Sequence, residues 1–214
     1  MRFLCLSDVH GNVDALAAVL AMAERRGFSR LLVAGDLCFP GDAPLATWRR
    51  LLAANASCVQ GLSDRALATL DVDRVHPSTD HERARLERLR AARTELGELI
   101  LARLGKLPTQ LRIPIETGGE ILLVHGSPAD PSEPFSHDMT DEELSALVGD
   151  DPADVIVCGG SHVPFDRQVG DVRIVNVGSV GEAPGGGYAH ATFVETSPSG
   201  VMVDQVVVPS GRAA

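Results

Sequence analysis

The strongest constraint on this chain is a recurring unit, a short apolar run that stops near an acidic residue. Residues 2–6 end at Ser7-Asp8, residues 30–34 at Gly35-Asp36, and residues 57–60 at Gly61, with Asp64 close behind. Runs this short read as strands buried on both faces rather than as helices. After the first run, Asn12 precedes Val13, Leu16, Ala17 and Leu20. That i, i+3, i+4, i+7 stripe with a capping residue predicts an amphipathic helix. Asp42 is expected to cap a second helix with Pro44 in its first turn. Strand, helix, strand, helix, strand is the right-handed parallel pattern, so the fold class is α/β.

The pattern then changes. Residues 80–106 are dense in Arg and Glu, with Leu86, Leu89, Leu96 and Ile100 at helical spacing. The spacing predicts a long charged helix, inserted either as a cap over a site or as cover for the sheet, with ion pairs along its solvated face. Residues 111–115 and 121–124 flank Gly118-Gly119 as a hairpin. Thr140-Asp-Glu-Glu143 is a capping box that opens a helix ending at Gly149. Further strands are expected at 155–158, 173–177, 191–195 and 201–208, and a hairpin turn at Gly185-Gly-Gly187. Residues 1–208 are read as one domain and 209–214 as a disordered tail.

Composition narrows the function. An apolar fraction of 44% is ample for a core, and aromatics at 4% predict that Leu, Val, Ala and Ile fill it. No apolar stretch approaches the roughly 18 residues of a membrane helix. The start, MRFLCLSD, carries no signal-peptide cleavage pattern. Cys5, Cys38, Cys58 and Cys158 form no Cys-x-x-Cys pair and read as buried hydrophobes of a reducing compartment, the cytoplasm. A formal charge of −10 argues against a general nucleic-acid scaffold. An acidic protein acting on a small phosphorylated substrate needs a local cation, which a metal supplies.

The polar residues that follow strand ends are Asp8, His10, Asp36, Asp64, His125 and His162. Ligand sites in open α/β sheets form outside the carboxyl ends of strands, so these side chains are expected to converge. An Asp after a strand is most often a turn former, and a lone His most often a satisfied polar group. The ordered set carries more weight than its members. Two Asp and two His offer oxygen and nitrogen donors that suit Mn, Fe or Zn better than Ca or Mg.

In order and spacing, Asp8-x-His10, Gly35-Asp36, Val124-His125-Gly126 and Gly-x-x-His162 with Val163-Pro164 resemble the calcineurin-like metallophosphoesterases. Asn176-Val-Gly-Ser-Val-Gly181 and His125-Gly-Ser-Pro128 resemble the bacterial phosphodiesterase-like branch of that family. The resemblance implies a two-sheet α/β/β/α sandwich and a two-metal centre at which a metal-activated water attacks a phosphoester. It implies a first metal site of Asp8, His10, Asp36 and His162. The second would use Asp36 and His125 with two further ligands, and at those positions stand Leu62 and Gly160. Ser63 stands where many members carry a catalytic His. One tight ion is therefore expected, with the second weak or absent. Asp64, Ser63, Ser161, Cys158 and His137 are the candidates for a replacement ligand, whereas His76, His81 and His190 show no ligand pattern. The expected activity is metal-dependent hydrolysis of a phosphomonoester or phosphodiester. The alternative is a non-catalytic protein of the same fold that binds a partner or a phosphate ligand.

Overall fold

The computed structural model describes residues 1–116, 118–150 and 152–210. In chain order the elements are β1 (Arg2–Leu6), α1 (Val13–Arg26), β2 (Arg30–Val33), α2 (Pro44–Ala53), β3 (Ser57–Cys58), α3 (Leu62–Thr69) and α4 (Asp80–Leu104). There follow β4 (Gln110–Pro114), β5 (Glu120–Val124), α5 (Asp141–Val148), β6 (Val155–Cys158), β7 (Phe165–Val169), β8 (Val172–Asn176), β9 (Tyr188–Ser197) and β10 (Gly200–Pro209). Two five-stranded sheets result, ordered β10-β9-β1-β2-β3 and β4-β5-β6-β8-β7. β1, β2 and β3 are parallel, as are β5, β6 and β8. The antiparallel partners β10-β9, β4 and β7 complete the two sheets.

Strand pleating sorts the side chains into layers, because neighbours point to opposite faces. Phe3 and Cys5 of β1 join Ile121, Leu123, Val155, Val157 and Val175 in the core between the sheets. Leu4 and Leu6 turn the other way, onto Leu16, Val19 and Leu20 of α1. On the second sheet Leu122, Ile156 and Ile174 face Leu144 and Leu147 of α5. The stack is α/β/β/α, the architecture expected from the sequence.

The long charged helix buries Leu86, Leu89, Ala92 and Leu96 in the same cluster as α1. Its outer face carries i, i+3 ion pairs between Arg83 and Asp80 and between Arg90 and Glu87. Gly97 breaks it with a left-handed φ of 72°.

Several details differ from expectation. The scarce aromatics are core residues, since Phe3, Phe135 and Phe193 are fully buried. Ala43, not Asp42, is the residue before α2, and no side chain caps that helix. α3 and β7 carry weak sequence signals and were not anticipated. Gly185-Gly-Gly187 belongs to the connection from β8 in one sheet to β9 in the other, not to a hairpin. Pro209 pairs with Tyr188 in β10 and the Ser210 N–H donates to Gly187 O, so order extends through 210. The rest of the expected tail, 211–214, lies outside the described residues.

Leu123→Ala is expected to cost about 2–5 kcal/mol, because the core between two packed sheets cannot collapse into the cavity. Leu99→Ala, on the solvent face of α4, is expected to stay within about 0.5 kcal/mol. Urea denaturation of both variants checks this, and equal losses would place the core elsewhere.

Candidate metal centre

The loops after β1, β2, β5 and β6 are tied to one another by backbone bonds. Asp8 N donates to Gly35 O at 3.1 Å, His10 N to Asp36 O at 2.9 Å, and Gly159 N to His125 O at 3.0 Å. These bonds hold a cluster of left-handed residues. Asp8, His10, Asp36 and His162 have φ of 53°, 51°, 54° and 61°. Each such residue costs roughly 1–2 kcal/mol, a strain that concentrates at functional sites. Gly35 also adopts positive φ, and a Cβ there would meet Gly61 N at 2.7 Å and His125 Nδ1 at 2.9 Å. Only glycine fits before Asp36.

Two backbone carbonyls set the imidazole tautomers. His10 Nδ1 lies 2.6 Å from Phe39 O and His125 Nδ1 lies 2.7 Å from Ala34 O. A carbonyl has no proton to give, so each Nδ1 donates, and in the neutral ring Nε2 is left as a free donor for a metal. His162 Nε2 lies 3.1 Å from His10 Nε2 and 3.2 Å from Asp8 Oδ1, and His10 Nε2 lies 3.6 Å from the same oxygen. Ligands bonded at about 2.1 Å to one ion stand about 3.0–3.4 Å apart, depending on geometry, so this triangle fits a cation. Asp8, Asp36 and His125 form a second group, with donor atoms all within 4.8 Å of one another. Asp8 is common to both.

Asp8 is wholly buried. Its Oδ2 accepts from Gly160 N at 2.9 Å, while Oδ1 has no hydrogen-bond partner among the described residues. A buried carboxylate oxygen needs a positive partner, which a protonated His162 or a bound cation supplies. Burial works to raise the Asp8 carboxyl, but contact with His162 and the charges of His125, His162 and His10 outweigh it and hold it below the usual range. Burial works to lower His125, and Asp36 and Asp8 reverse this and raise it. Contact with Asp8 raises His162 against its burial.

The positions that depart from the resemblance are also placed. Leu62 opens α3 and is 46% exposed, presenting an apolar group to a cleft that Asp36, His10 and His162 also line. Gly160 has φ of 76°, and a Cβ there would stand 3.7 Å from His125 Nε2 and 3.0 Å from the Pro134 Cβ. A ligand restored at 160 would start beside His125, but under backbone strain. Ser63 is buried on the same cleft. Its N–H donates to Asp36 Oδ1 at 2.8 Å and its hydroxyl has no partner among the described residues.

Of the candidate replacement ligands Ser63 thus lines the cleft, and the other four are engaged elsewhere or exposed. Asp64 accepts from Asp36 N at 2.9 Å, Leu37 N at 3.0 Å and Gly61 N at 3.0 Å, so it is a backbone staple between β2 and α3. Ser161 Oγ accepts from Asn176, Cys158 is buried with its thiol pushed up by burial, and His137 is exposed.

Sequence reasoning missed Glu182. The turn 176–181 delivers it, with Asn176 bonded to Gly159 O at 2.8 Å and Ser179 Oγ to Asp8 O at 2.9 Å. Glu182 Oε2 lies 3.6 Å from His10 Nε2 and 4.0 Å from His162 Nδ1. Its place directly after that motif is the one signal that pointed to it.

The family model of the calcineurin-like phosphoesterase superfamily domain matches residues 1–198, and the chain belongs to that superfamily. Among solved structures it is similar to a hypothetical protein from Pyrococcus horikoshii OT3, at 21% identity and a TM-score of 0.82 over 97% of this chain and 88% of that one. It is also similar to a metallophosphoesterase from Sphaerobacter thermophilus, at 22% identity and a TM-score of 0.75 over 96% and 88% of the two chains. The phosphoesterase YfcE from E. coli aligns over 97% of this chain and 100% of its own, at 19% identity and a TM-score of 0.56. No curated protein matches the sequence.

Two outcomes follow from this geometry. Asp64→Ala strands three buried N–H groups and is expected to cost about 3 kcal/mol or more, measured by denaturation in chelator so that metal loss plays no part. An unchanged stability would remove Asp64 from its structural role. The second concerns pH. His125 and His162 titrate above their unfolded value, so in the metal-free protein their stabilising contribution is full below pH about 6.5 and is lost as pH rises through the folded values. A metal must displace those protons, so its affinity is expected to rise from pH 6 to pH 8 with proton release. Calorimetry in buffers of different ionisation enthalpy checks this, and a flat profile would contradict it.

Proposed function

We propose that this protein is a metal-dependent phosphoesterase that hydrolyses a phosphomonoester or phosphodiester of a small molecule. Asp8, His10, Asp36, His125 and His162 form its ligand and catalytic set. The observation that carries this reading is the buried, unpartnered Asp8 Oδ1 facing the Nε2 atoms of His10 and His162. Family membership supports it. The donor set favours Mn or Fe, with Zn as the third choice. Asp8, His10 and His162, with Asp36 alongside, would hold one tight ion. Asp8, Asp36 and His125 would hold a second only weakly, because Leu62 and Gly160 bring no donor.

A divalent cation in such a site lowers the pKa of water toward neutrality and polarises a phosphoryl oxygen. The chain's own residues do the rest. The Phe39 and Ala34 carbonyls keep His10 and His125 in the metal-binding tautomer. Glu182 places a negative charge 4.0 Å from His162 Nδ1 and 3.6 Å from His10 Nε2. Asp64 fixes the backbone of Asp36 and Leu37, and the Ser63 N–H holds Asp36 Oδ1 in place. A serine hydroxyl is a poor proton donor to a leaving alkoxide, so good leaving groups are favoured. Four cysteines without a disulfide suit a reducing compartment, and the cytoplasm is the proposed location.

The loss of donors at 62 and 160 favours one alternative, a protein of this fold that holds a cation and binds a phosphate ligand or partner without hydrolysis. Turnover of bis-p-nitrophenyl phosphate with and without Mn²⁺ separates the two. The expected result is Mn²⁺-stimulated hydrolysis, about 10²–10⁴-fold faster on aryl than on alkyl esters. His162→Ala is expected to lower metal content and to reduce kcat/KM by more than about 100-fold. Full metal binding with no turnover on any ester would favour the alternative.

A further inference from the structure

The cleft at the metal-ligand groups runs well beyond them. His10, Asp36 and His162 line it together with residues from the first three turns of α4. Its volume is about 670 Å³, within the roughly 300–1,000 Å³ of pockets that enclose a whole small ligand. A phosphoryl group at the metal end leaves most of that space for the rest of a substrate.

The α4 wall of the cleft has a distinct chemistry. Arg85 and Arg88 lie one turn apart on α4 and both line the cleft. Among the described residues no carboxylate pairs with either. The neighbouring arginines of the helix are engaged, Arg83 with Asp80, Arg90 with Glu87 and Arg93 with Leu70 O. Two such guanidinium groups stand out in a chain of formal charge −10. Of the glutamates that line the cleft, Glu82 is held by Ser78 and Thr79 at the helix cap and Glu182 lies beside His10 and His162. Arg85 sits 5.9 Å from the centre of the Phe39 ring, whose own backbone carbonyl fixes His10.

Part of the wall is apolar. Leu62 and Leu70 are 46% and 38% exposed, and both border this cleft. Single exposed leucines need no explanation, but two flanking one cleft form a surface suited to a flat apolar body. Leu62 thus has a use that a coordinating side chain would not provide. The metal-proximal floor also holds the buried, unpartnered Ser63 hydroxyl.

We propose that Arg85 and Arg88 form a second anion site, and that the substrate is an elongated phosphoester with two separated phosphates. The scissile phosphate lies at the Asp8 cluster, an aromatic or nucleoside body lies on Leu62 and Leu70, and the second phosphate lies on the two arginines. Guanidinium groups suit this role because they grip phosphate oxygens in pairs. The class that fits is a nucleoside bisphosphate or a short phosphodiester of similar length. This proposal rests on the phosphoesterase reading for the fate of the scissile phosphate, but the second anion site can be tested without turnover.

The probes are adenosine 3′,5′-bisphosphate and adenosine 5′-monophosphate, titrated by calorimetry into the full-length protein in chelator and again with Mn²⁺. Wild type is expected to prefer the bisphosphate by about tenfold or more. Arg85→Ala with Arg88→Ala is expected to abolish the preference and to leave monophosphate binding within about twofold. Replacing both by Lys should restore part of it, which shows that the variants fold. Steady-state kinetics should show the loss in KM and not in kcat. Equal affinity for both probes in wild type, or a preference that survives the double change, overturns the proposal. Hydrolysis of bis-p-nitrophenyl phosphate without an arginine-dependent preference sinks this inference and leaves the phosphoesterase reading standing. An arginine-dependent preference without hydrolysis of any ester does the reverse.

Discussion

The carboxylate of Asp8 is the interaction on which the rest of this site depends. It lies at the end of the central strand of one sheet, wholly out of contact with solvent. Its backbone N–H is bound to the β2 loop, its backbone carbonyl accepts from Gly181 and Ser179, and its Oδ2 accepts from Gly160. One residue therefore fixes the positions of three other loops. Its remaining oxygen faces the imidazoles of His162 and His10. The left-handed backbone of Asp8, His10, Asp36 and His162 is tolerated because these bonds over-determine it. The geometry is set before any ligand arrives.

Much of this was legible because β-strand and acid come as a unit. A buried strand needs a continuous apolar run, so its end is visible wherever the run meets Asp or His. That rule located Asp8, His10, Asp36, His125 and His162. What it left out was short or polar. α3 is eight residues long and opens on Gly61 and Leu62, with its stabilising Asp64 inside the helix and not before it. β7 reads Phe-Asp-Arg-Gln-Val and is an edge strand, whose half-solvated pattern resembles a loop. Asp64 and Asp36 look alike in sequence, each just past a strand. Only the N–H groups around Asp64 show that one is a staple and the other lies in a candidate donor group. The sharing of Asp8 between two donor groups depends on a spatial arrangement that no spacing encodes.

The charged helix α4 shows how one element is read in two ways. Its density of Arg and Glu suggests a solvated surface, and half of it is one. Its leucines, at helical spacing, dock it onto the helical layer, and that docking aims a third face at the cleft. Sequence periodicity identifies the buried stripe, but it cannot tell a face that meets bulk water from one that meets a cavity. The pairing of the arginines supplies that distinction. Arg83, Arg90 and Arg93 find partners on the helix or the chain before it, whereas no carboxylate among the described residues pairs with Arg85 or Arg88.

The pairing of β1 with β9 has a consequence for how the molecule is made. Arg2 is in register with Glu195, and Cys5 with Thr192. The strand that delivers Asp8 is made long before β9, one of its two neighbours. Contacts this distant in sequence are entropically expensive to close and slow folding. Until β9 is available, β1 keeps an open edge, the kind of surface that invites pairing with another chain. A growing chain therefore carries Asp8, the residue shared by both candidate donor groups, at the end of a strand whose edge stays open until β9 follows it.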